Sequence, residues 1–268
     1  MGEVRDGSLA FPISFPRGKR MRLLGLDFET TGLDPKKDRI IELGAVLWEV
    51  EGSLIEAKHR PLLCHDIFLY ERNYPKLEPI ITDLTGITQE MLEEFGRDPG
   101  EVLSQLNEMV KEYKVDYIVA HNGTSFDRPF LQAELARSPH VFAEIQTVPW
   151  IDTRTDLPFE KEPDSVKLKY LAADHGFINP FAHRAMFDVL TMLVVMSKYN
   201  MQEVVARSKV PNIKVKAMVS FSKKDIAKQR SYHWDGVLRV WHRTIKEDQW
   251  EDEVKYFADH GVSLEKMQ

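Results

Sequence analysis

The chain has 268 residues, 43% hydrophobic and 29% charged, the balance of a globular protein with room for one large domain or a domain and a small appendage. Its 36 Lys and Arg against 42 Asp and Glu leave a net charge of −6, so no global positive field advertises a polyanionic partner; bound divalent metals or local basic patches would have to hold one. The single cysteine, Cys64, excludes an intramolecular disulfide framework and suits a reducing compartment.

Residues 1–20 mix Gly, Pro and charges without the apolar stretch of a signal peptide, and read as a loosely packed leader. Gly2 is not followed by the Ser or Thr of a myristoylation motif, because position 6 is Asp6. No segment approaches the ~20 apolar residues of a membrane span, so the expectation is a cytoplasmic protein with no membrane partner.

The first strand is predicted in the apolar run from Leu23, which ends at Thr30-Thr31-Gly32-Leu33. Arg39 to Val50 reads as a second, strongly apolar strand, Glu51-Gly52-Ser53 as a hairpin turn, and Leu54 to Leu63 as a third strand. Within the run Leu62-Leu63-Cys64 the thiol is expected to be buried and structural. A short helical region follows from Leu84 to Phe95, with Thr88 near a helix start, and Asp98-Pro99 opens a helix with 3–4 apolar spacing through Val110. Tyr117 to Ala120 is a short buried strand, Phe130, Leu131 and Leu135 mark a helix, and Pro149 to Thr153 a last short strand. Helices are predicted over Lys167–His175 and Ala182–Tyr199. Hairpin-linked strands followed by alternating helices and strands argue for a mixed α/β sheet flanked by helices over residues 21–200.

Within that core, Asp27 and Glu29 stand at i and i+2 of a strand and project from the same face. Two anions held together need a proton or a metal, and a hard divalent cation suits all-oxygen ligands. Pro129 cannot lie beyond the first turn of a helix, so Asp127 belongs at that helix's start. Asp188 sits among apolar residues in an apolar helix, where a buried carboxylate needs partners. His183 lies five residues earlier; on a regular helix the two would point ~140° apart, so they converge only if His183 precedes the helix, as Asn179-Pro180 allows.

The order Asp27, Glu29, Asp127, His183, Asp188, with Asp27-x-Glu29-Thr30-Thr31-Gly32-Leu33, Arg39-Ile40-Ile41-Glu42-Leu43-Gly44-Ala45, Leu84-Thr85-Gly86-Ile87-Thr88 and His183-x4-Asp188, resembles the DEDDh (DnaQ-like) 3′–5′ exonucleases. The resemblance covers about residues 21–199. It implies a ribonuclease H-like fold and hydrolysis from the 3′ end with two divalent ions, Mg²⁺ or Mn²⁺. Asp27, Glu29, Asp127 and Asp188 would be the metal ligands and His183 the general base. It further implies that Thr30 and Leu33 hold and wedge the terminal nucleotide while His121 and Phe126 line the strand's path. Glu42, His59, His65 and His175 receive no site role.

After residue 200 the texture changes. Residues 201–212 read as a linker and 213–268 as a small α+β module. Ile213, Val215, Ala217, Val219 and Phe221 alternate with Lys214 and Lys216 in a strand, and Ser222 is placed to cap a helix. His233 to Gly236 reads as a turn, Val237 to Thr244 as a strand, and Lys246 to His260 as a helix stopped by Gly261. The tryptophans are expected to form this module's core; the lysines are either a solvated face or a phosphate grip. The function expected is a metal-dependent 3′–5′ exonuclease on single-stranded ends, DNA favoured. The alternatives are an RNA-trimming exoribonuclease and an accessory proofreading or nucleic-acid-binding subunit. The partners implied are single-stranded DNA or RNA 3′ ends, and a replication or repair protein reached through the C-terminal module.

Overall fold

The computed structural model describes residues 20–52, 57–160, 163 and 165–267; residues 1–19 of the predicted leader and Ser53 of the predicted turn lie outside this set. Strand β1 (Arg20–Thr30) pairs antiparallel with β2 (Ile40–Gly52), and β2 with β3 (Ala57–Phe68). Helices α1 (Pro79–Thr85), α2 (Gln89–Phe95) and α3 (Pro99–Tyr113) lead to β4 (Tyr117–Ala120). Helices α4 (Asp127–Arg137) and α5 (Ala143–Thr147) precede β5 (Trp150–Asp152), and α6 (Leu168–Asp174), α7 (Ala185–Met196) and α8 (Met201–Ser208) close the core. The five strands run β3-β2-β1-β4-β5, with β4 and β5 parallel to their neighbours. This is the mixed, helix-flanked α/β sheet that the sequence pattern predicts.

The pleat of β1 sorts its side chains. Leu24, Leu26 and Phe28 enter one core with residues of α3, α4 and α5. Leu23 enters the other, with residues of α6, α7 and α8, so Gly25, Asp27 and Glu29 face α7 by alternation. Two glycines let that helix lie close. A Cβ on Gly44 would stand 2.4 Å from the backbone carbon of Ala185, and one on Gly25 would stand 2.6 Å from Val189 Cγ1. Caps mark the helix starts. Thr88 accepts from the Met91 amide at 3.2 Å and Asp98 from the Glu101 amide at 2.9 Å.

Several expectations change. The third strand runs five residues further than predicted, to Phe68, and is an edge of the sheet, which leaves Cys64 exposed rather than buried. Residues 201–208, read as part of a linker, form α8; Asn200 caps it, and Met201 and Val204 are fully buried in the core beneath.

The C-terminal unit contains β6 (Asn212–Ala217), α9 (Lys224–Gln229), β7 (His233–Asp235), β8 (Val240–Lys246), α10 (Trp250–Asp259) and β9 (Leu264–Lys266), in the sheet order β7-β8-β6-β9. His233 to Asp235 is thus a strand rather than a turn, because it completes a hairpin on β8. Ser222 lies within a 3-10 turn and does not cap α9. Val215, Ala217, Ala227, Tyr232, Ile245 and Phe257 form the buried core of this unit. Trp241 and Trp250 pack against that core from its margin, and Trp234 is 51% exposed. The unit docks through Lys246, whose Nζ lies 2.5 Å from Asp156 Oδ1 and donates to the Val210 carbonyl, with both charged side chains buried. Among the described residues, no helix is long and apolar enough to cross a membrane.

Candidate active site

Strand β1 delivers two acids to the face under α7. Asp27 lies opposite Gly44 and Glu29 opposite Glu42 in the antiparallel ladder. Gly44 admits the first turn of α7, and that turn carries Asp188. Asp127 opens α4 just beyond the end of β4, the central neighbour of β1, and is 1% exposed. Strand, sheet order and two helix starts therefore bring together carboxylates that are distant in sequence.

His183 stands before α7 with φ +65°. A residue with a Cβ is held in this left-handed region only when its surroundings fix it. Here the His183 amide donates to Asp188 Oδ2 at 2.9 Å, while Asn179 Nδ2 donates to Asp188 Oδ1 at 2.6 Å. The imidazole is exposed. Ligand atoms of Glu29, His183 and Asp188 lie within 4.8 Å of one another, so one ion could touch all three. Asp27 and Asp127 fall outside that trio.

The electrostatics are those of a site lacking positive charge. Burial, then the charges of Asp127, Asp188, Glu29 and Glu42, push the Asp27 carboxyl well above its ordinary range. Burial, then Glu42, Asp188 and Asp127, push Glu29 up to about 8, and Arg184 opposes them. Asp127 is pushed up to about 8 by burial, against the pull of the backbone amides of Asp127 and Phe28. Asp188 is raised by burial although His183 and Asn179 hold it down. Asp127 Oδ1 is buried with no hydrogen-bond partner. An orphaned carboxylate oxygen beside three more acids is a donor set for hard divalent cations, and the residues present fit such ions.

The remaining sequence-predicted residues differ in their surroundings. Thr30 is buried and spends its hydroxyl on the Gly32 carbonyl at 2.5 Å. Leu33 is 86% exposed, an apolar side chain with no protein cover. His121 shares a hydrogen bond with Thr153 Oγ1 at 2.9 Å, and burial pushes it down to about 4, so it is neutral. Phe126 packs at a tilt against Phe130, with ring centroids 4.9 Å apart, at the margin of the core.

Sequence reasoning passed over the residues that hold these groups. Glu42 is fully buried; it accepts from the Arg184 guanidinium and, at 2.9 Å, from the Ala185 amide, so it pins the start of α7. Its signal was available, an acid inside the apolar run Ile40-Ile41-Glu42-Leu43. Asp152 accepts from the amides of Asn122, Thr124 and Arg154 and so shapes the loop before Asp127. Nothing local in the sequence marks that role.

Known proteins resemble this chain in sequence and in fold. The exonuclease family model RNase_T matches residues 24–196, well over half of the chain. A PolC-type DNA polymerase III of Thermotoga maritima is 33% identical over 163 residues, covering 61% of this chain and 10% of that protein. A DNA polymerase III subunit epsilon of Treponema pallidum is 37% identical over 110 residues, covering 41% of this chain and 44% of its own length. The chain thus spans about a tenth of the PolC-type relatives that it matches.

Among solved structures, E. coli exonuclease I in complex with a 5cy-dA13 oligonucleotide superposes with a TM-score of 0.56 at 17% identity, over 77% of this chain and 49% of that one. The nuclease domain of 3′hExo, described as a DEDDh family member bound to rAMP, superposes with a TM-score of 0.51 at 20% identity, over 66% and 90% of the two chains. These likenesses show the fold. On the strength of the family match and the motif residues that it encloses, this chain belongs to the RNase_T exonuclease family, in its DEDDh group.

Proposed function

We propose that this protein is a divalent-metal-dependent 3′–5′ exonuclease acting on single-stranded ends, with DNA as the favoured substrate. The observation that carries the reading is the convergence of Asp27, Glu29, Asp127 and Asp188, all raised in pKa, with an unpartnered buried oxygen on Asp127. Such a cluster is costly in an apolar surrounding unless cations enter it. Asp27, Glu29 and Asp188 would hold one ion and Asp27, assisted by Asp127, a second. Bound there, Mg²⁺ or Mn²⁺ would supply the charge that activates an attacking water and stabilises the leaving oxygen.

The chain's own groups do the rest. His183 is exposed at the mouth, tied by its backbone to Asp188, and its ring takes the proton from the attacking water. Leu33 offers an uncovered apolar surface against which the terminal base packs. Phe126 and the neutral His121 lie along the strand's approach. DNA is favoured because relatives at above 30% identity are named as DNA polymerases. The rAMP bound to 3′hExo keeps an RNA-trimming reading in view. A replication or repair assembly is the partner this relationship proposes.

End-labelled DNA and RNA oligonucleotides incubated with Mg²⁺ or Mn²⁺ test the reading. One-nucleotide ladders from the 3′ end, abolished by EDTA and by Asp188→Ala, are expected. Undiminished ladders in Asp188→Ala would sink it, and ladders on RNA alone would transfer the substrate to the RNA-trimming alternative.

A further inference from the structure

Between the exonuclease core and the C-terminal sheet lies an open cleft of about 760 Å³, outside the carboxylate cluster. Seven of its lining side chains are Lys or Arg, against one carboxylate among the described residues, Asp152. That one is spent on three backbone amides. In a chain whose overall charge is −6, such a local excess of cations is not an average surface.

The excess has a structural origin. In the antiparallel ladder Asn212 pairs with Lys246, Lys214 with Thr244, Lys216 with His242, and His242 with His233. Directly opposed residues share a face, so the period-two alternation of β6 and β8 gathers these bases on one side of the sheet, although Lys216 lies outside the cleft, paired with Glu265, and Arg243, opposite Val215, belongs to the other side. Ile213, Val215 and Ala217 take the other side, against the unit's own core. The opposite wall of the cleft comes from the exonuclease core, with Arg154, Lys167 and Arg207. The walls are close enough for their charges to be felt across the gap. His233 on β7 is held below its ordinary pKa by burial and by Arg154, Arg243 and Lys167.

Three of the seven are already paired, Lys246 with Asp156, Lys228 with Asp225 and Arg243 with Glu253, and Arg154 donates to Asn122 Oδ1 at 2.9 Å. Among the described residues Arg154, Lys167, Arg207 and Lys214 make no ion pair, and Arg207 Nε is buried without a hydrogen-bond partner. The floor of the cleft is Asn122, Thr124 and Ser125. Ser125 lies two residues before Asp127, which limits the separation of their Cα atoms to about 7 Å. The lining of the cleft therefore ends two residues short of Asp127.

We infer that this cleft holds the sugar-phosphate backbone of a single strand on the 5′ side of the terminal nucleotide, with Lys167 and Lys214 gripping phosphates from opposite walls. The C-terminal unit is thus a second jaw, and a single strand is its occupant because the unpaired cations complement a phosphate backbone and the lining comes within two residues of Asp127. The inference rests on the exonuclease reading for its occupant, but its geometry is independent of catalysis.

The test is binding without turnover. Fluorescein-labelled dT15 and dT3 are titrated in EDTA, where no hydrolysis occurs, against the wild type, Lys167→Glu/Lys214→Glu, and a control pair of equal charge change remote from the cleft, Lys111→Glu/Lys255→Glu. All four substituted lysines are exposed, and thermal melts verify that both variants are folded. The cleft pair is expected to cut the affinity advantage of dT15 over dT3 at least tenfold and to reduce the salt slope of dT15 binding by about two contacts. The control pair is expected to leave that advantage within about twofold of wild type. Equal loss in the control pair, or none in the cleft pair, overturns the inference. So does a labelled glutamate 15-mer that binds the wild type as tightly as dT15, which would make the occupant an acidic protein. If dT15 binding falls as expected while the wild type shows no hydrolysis with metal, the cleft stands and the exonuclease reading fails.

Discussion

Glu42 on β2 and Arg184 at the head of α7 form an ion pair of 2.7 Å across 142 residues of sequence, with the carboxylate fully buried. The pair fixes the segment that carries His183 and sets a negative charge beside Glu29. Replacing Glu42 with Ala removes the acceptor for both Arg184 and the Ala185 amide. Destabilisation of about 2–3 kcal/mol is expected in urea melts, less than for a fully enclosed pair, because Arg184 keeps contact with water and with Asp66 at 3.6 Å. Turnover should fall with it, whereas Glu42→Gln, which retains an acceptor for the amide, should keep most of both. Full activity in Glu42→Ala would show that the start of α7 is held by other means.

Glu29→Gln should separate stability from activity. Glu29 is raised to about 8 by burial and by neighbouring anions, so neutralising it relieves repulsion in the metal-free protein. Differential scanning fluorimetry at pH 8 in EDTA should show a higher melting temperature than wild type. The gain on adding Mg²⁺ or Mn²⁺ should shrink, and hydrolysis should be lost. A metal response equal to wild type would remove Glu29 from the ligand set.

The same shifts dictate a pH dependence. The carboxyls of Glu29 and Asp127 titrate near about 8 when folded, against about 4 in an unfolded chain. The folded state therefore binds more protons, and the stability that these groups contribute is complete below about pH 4 and lost as pH rises towards 8. Without metal the melting temperature should decline across that window. With saturating Mn²⁺ the decline should flatten or reverse, because binding displaces those protons. A metal-free melting temperature that rises steadily from pH 5 to pH 8 would contradict the assigned cluster.

His183→Ala distinguishes a base from a ligand. As a general base its loss should slow hydrolysis by about 10²–10⁴-fold while the metal-induced thermal shift remains. Its ring lies within 4.8 Å of ligand atoms on Glu29 and Asp188, so the opposite outcome has a structural meaning too. Disappearance of the shift would assign His183 to the metal.

Lys246→Met would leave Asp156 buried without its cation, and about 3–5 kcal/mol of stability should go with it. The damage should spread past the interface. Asp156 accepts from the Asp152 amide at 2.8 Å, and Asp152 in turn organises the loop before Asp127. Chemical denaturation of the intact chain measures the loss, and an unchanged midpoint would mean that the two units are held by other contacts.

Much of this was legible in the sequence because it is local. The i, i+2 spacing of Asp27 and Glu29 fixes a shared face, Pro129 fixes Asp127 at a helix start, and Asn179-Pro180 keeps His183 out of the helix. What stayed hidden depends on distant partners. Glu42 resembles any strand-edge acid until Arg184 arrives from 142 residues away. Cys64 sits in an apolar run, yet its strand lies on the sheet edge and the thiol is uncovered. His233 to Asp235 has the composition of a turn and becomes a strand because β8 offers it a ladder. Residues 201–208 are half polar, and Met201 and Val204, with Val205 beside them, draw the segment into the core.

Gly44 bears no functional group, yet the space it leaves open is filled by the backbone of Ala185 and Met186. Even a single methyl there would act as a wedge, lifting the start of α7 and with it Asp188, while leaving all the acids in the sequence. A related chain can thus keep its complete set of charged residues and still be inert, silenced at a position where chemistry alone gives no reason to look.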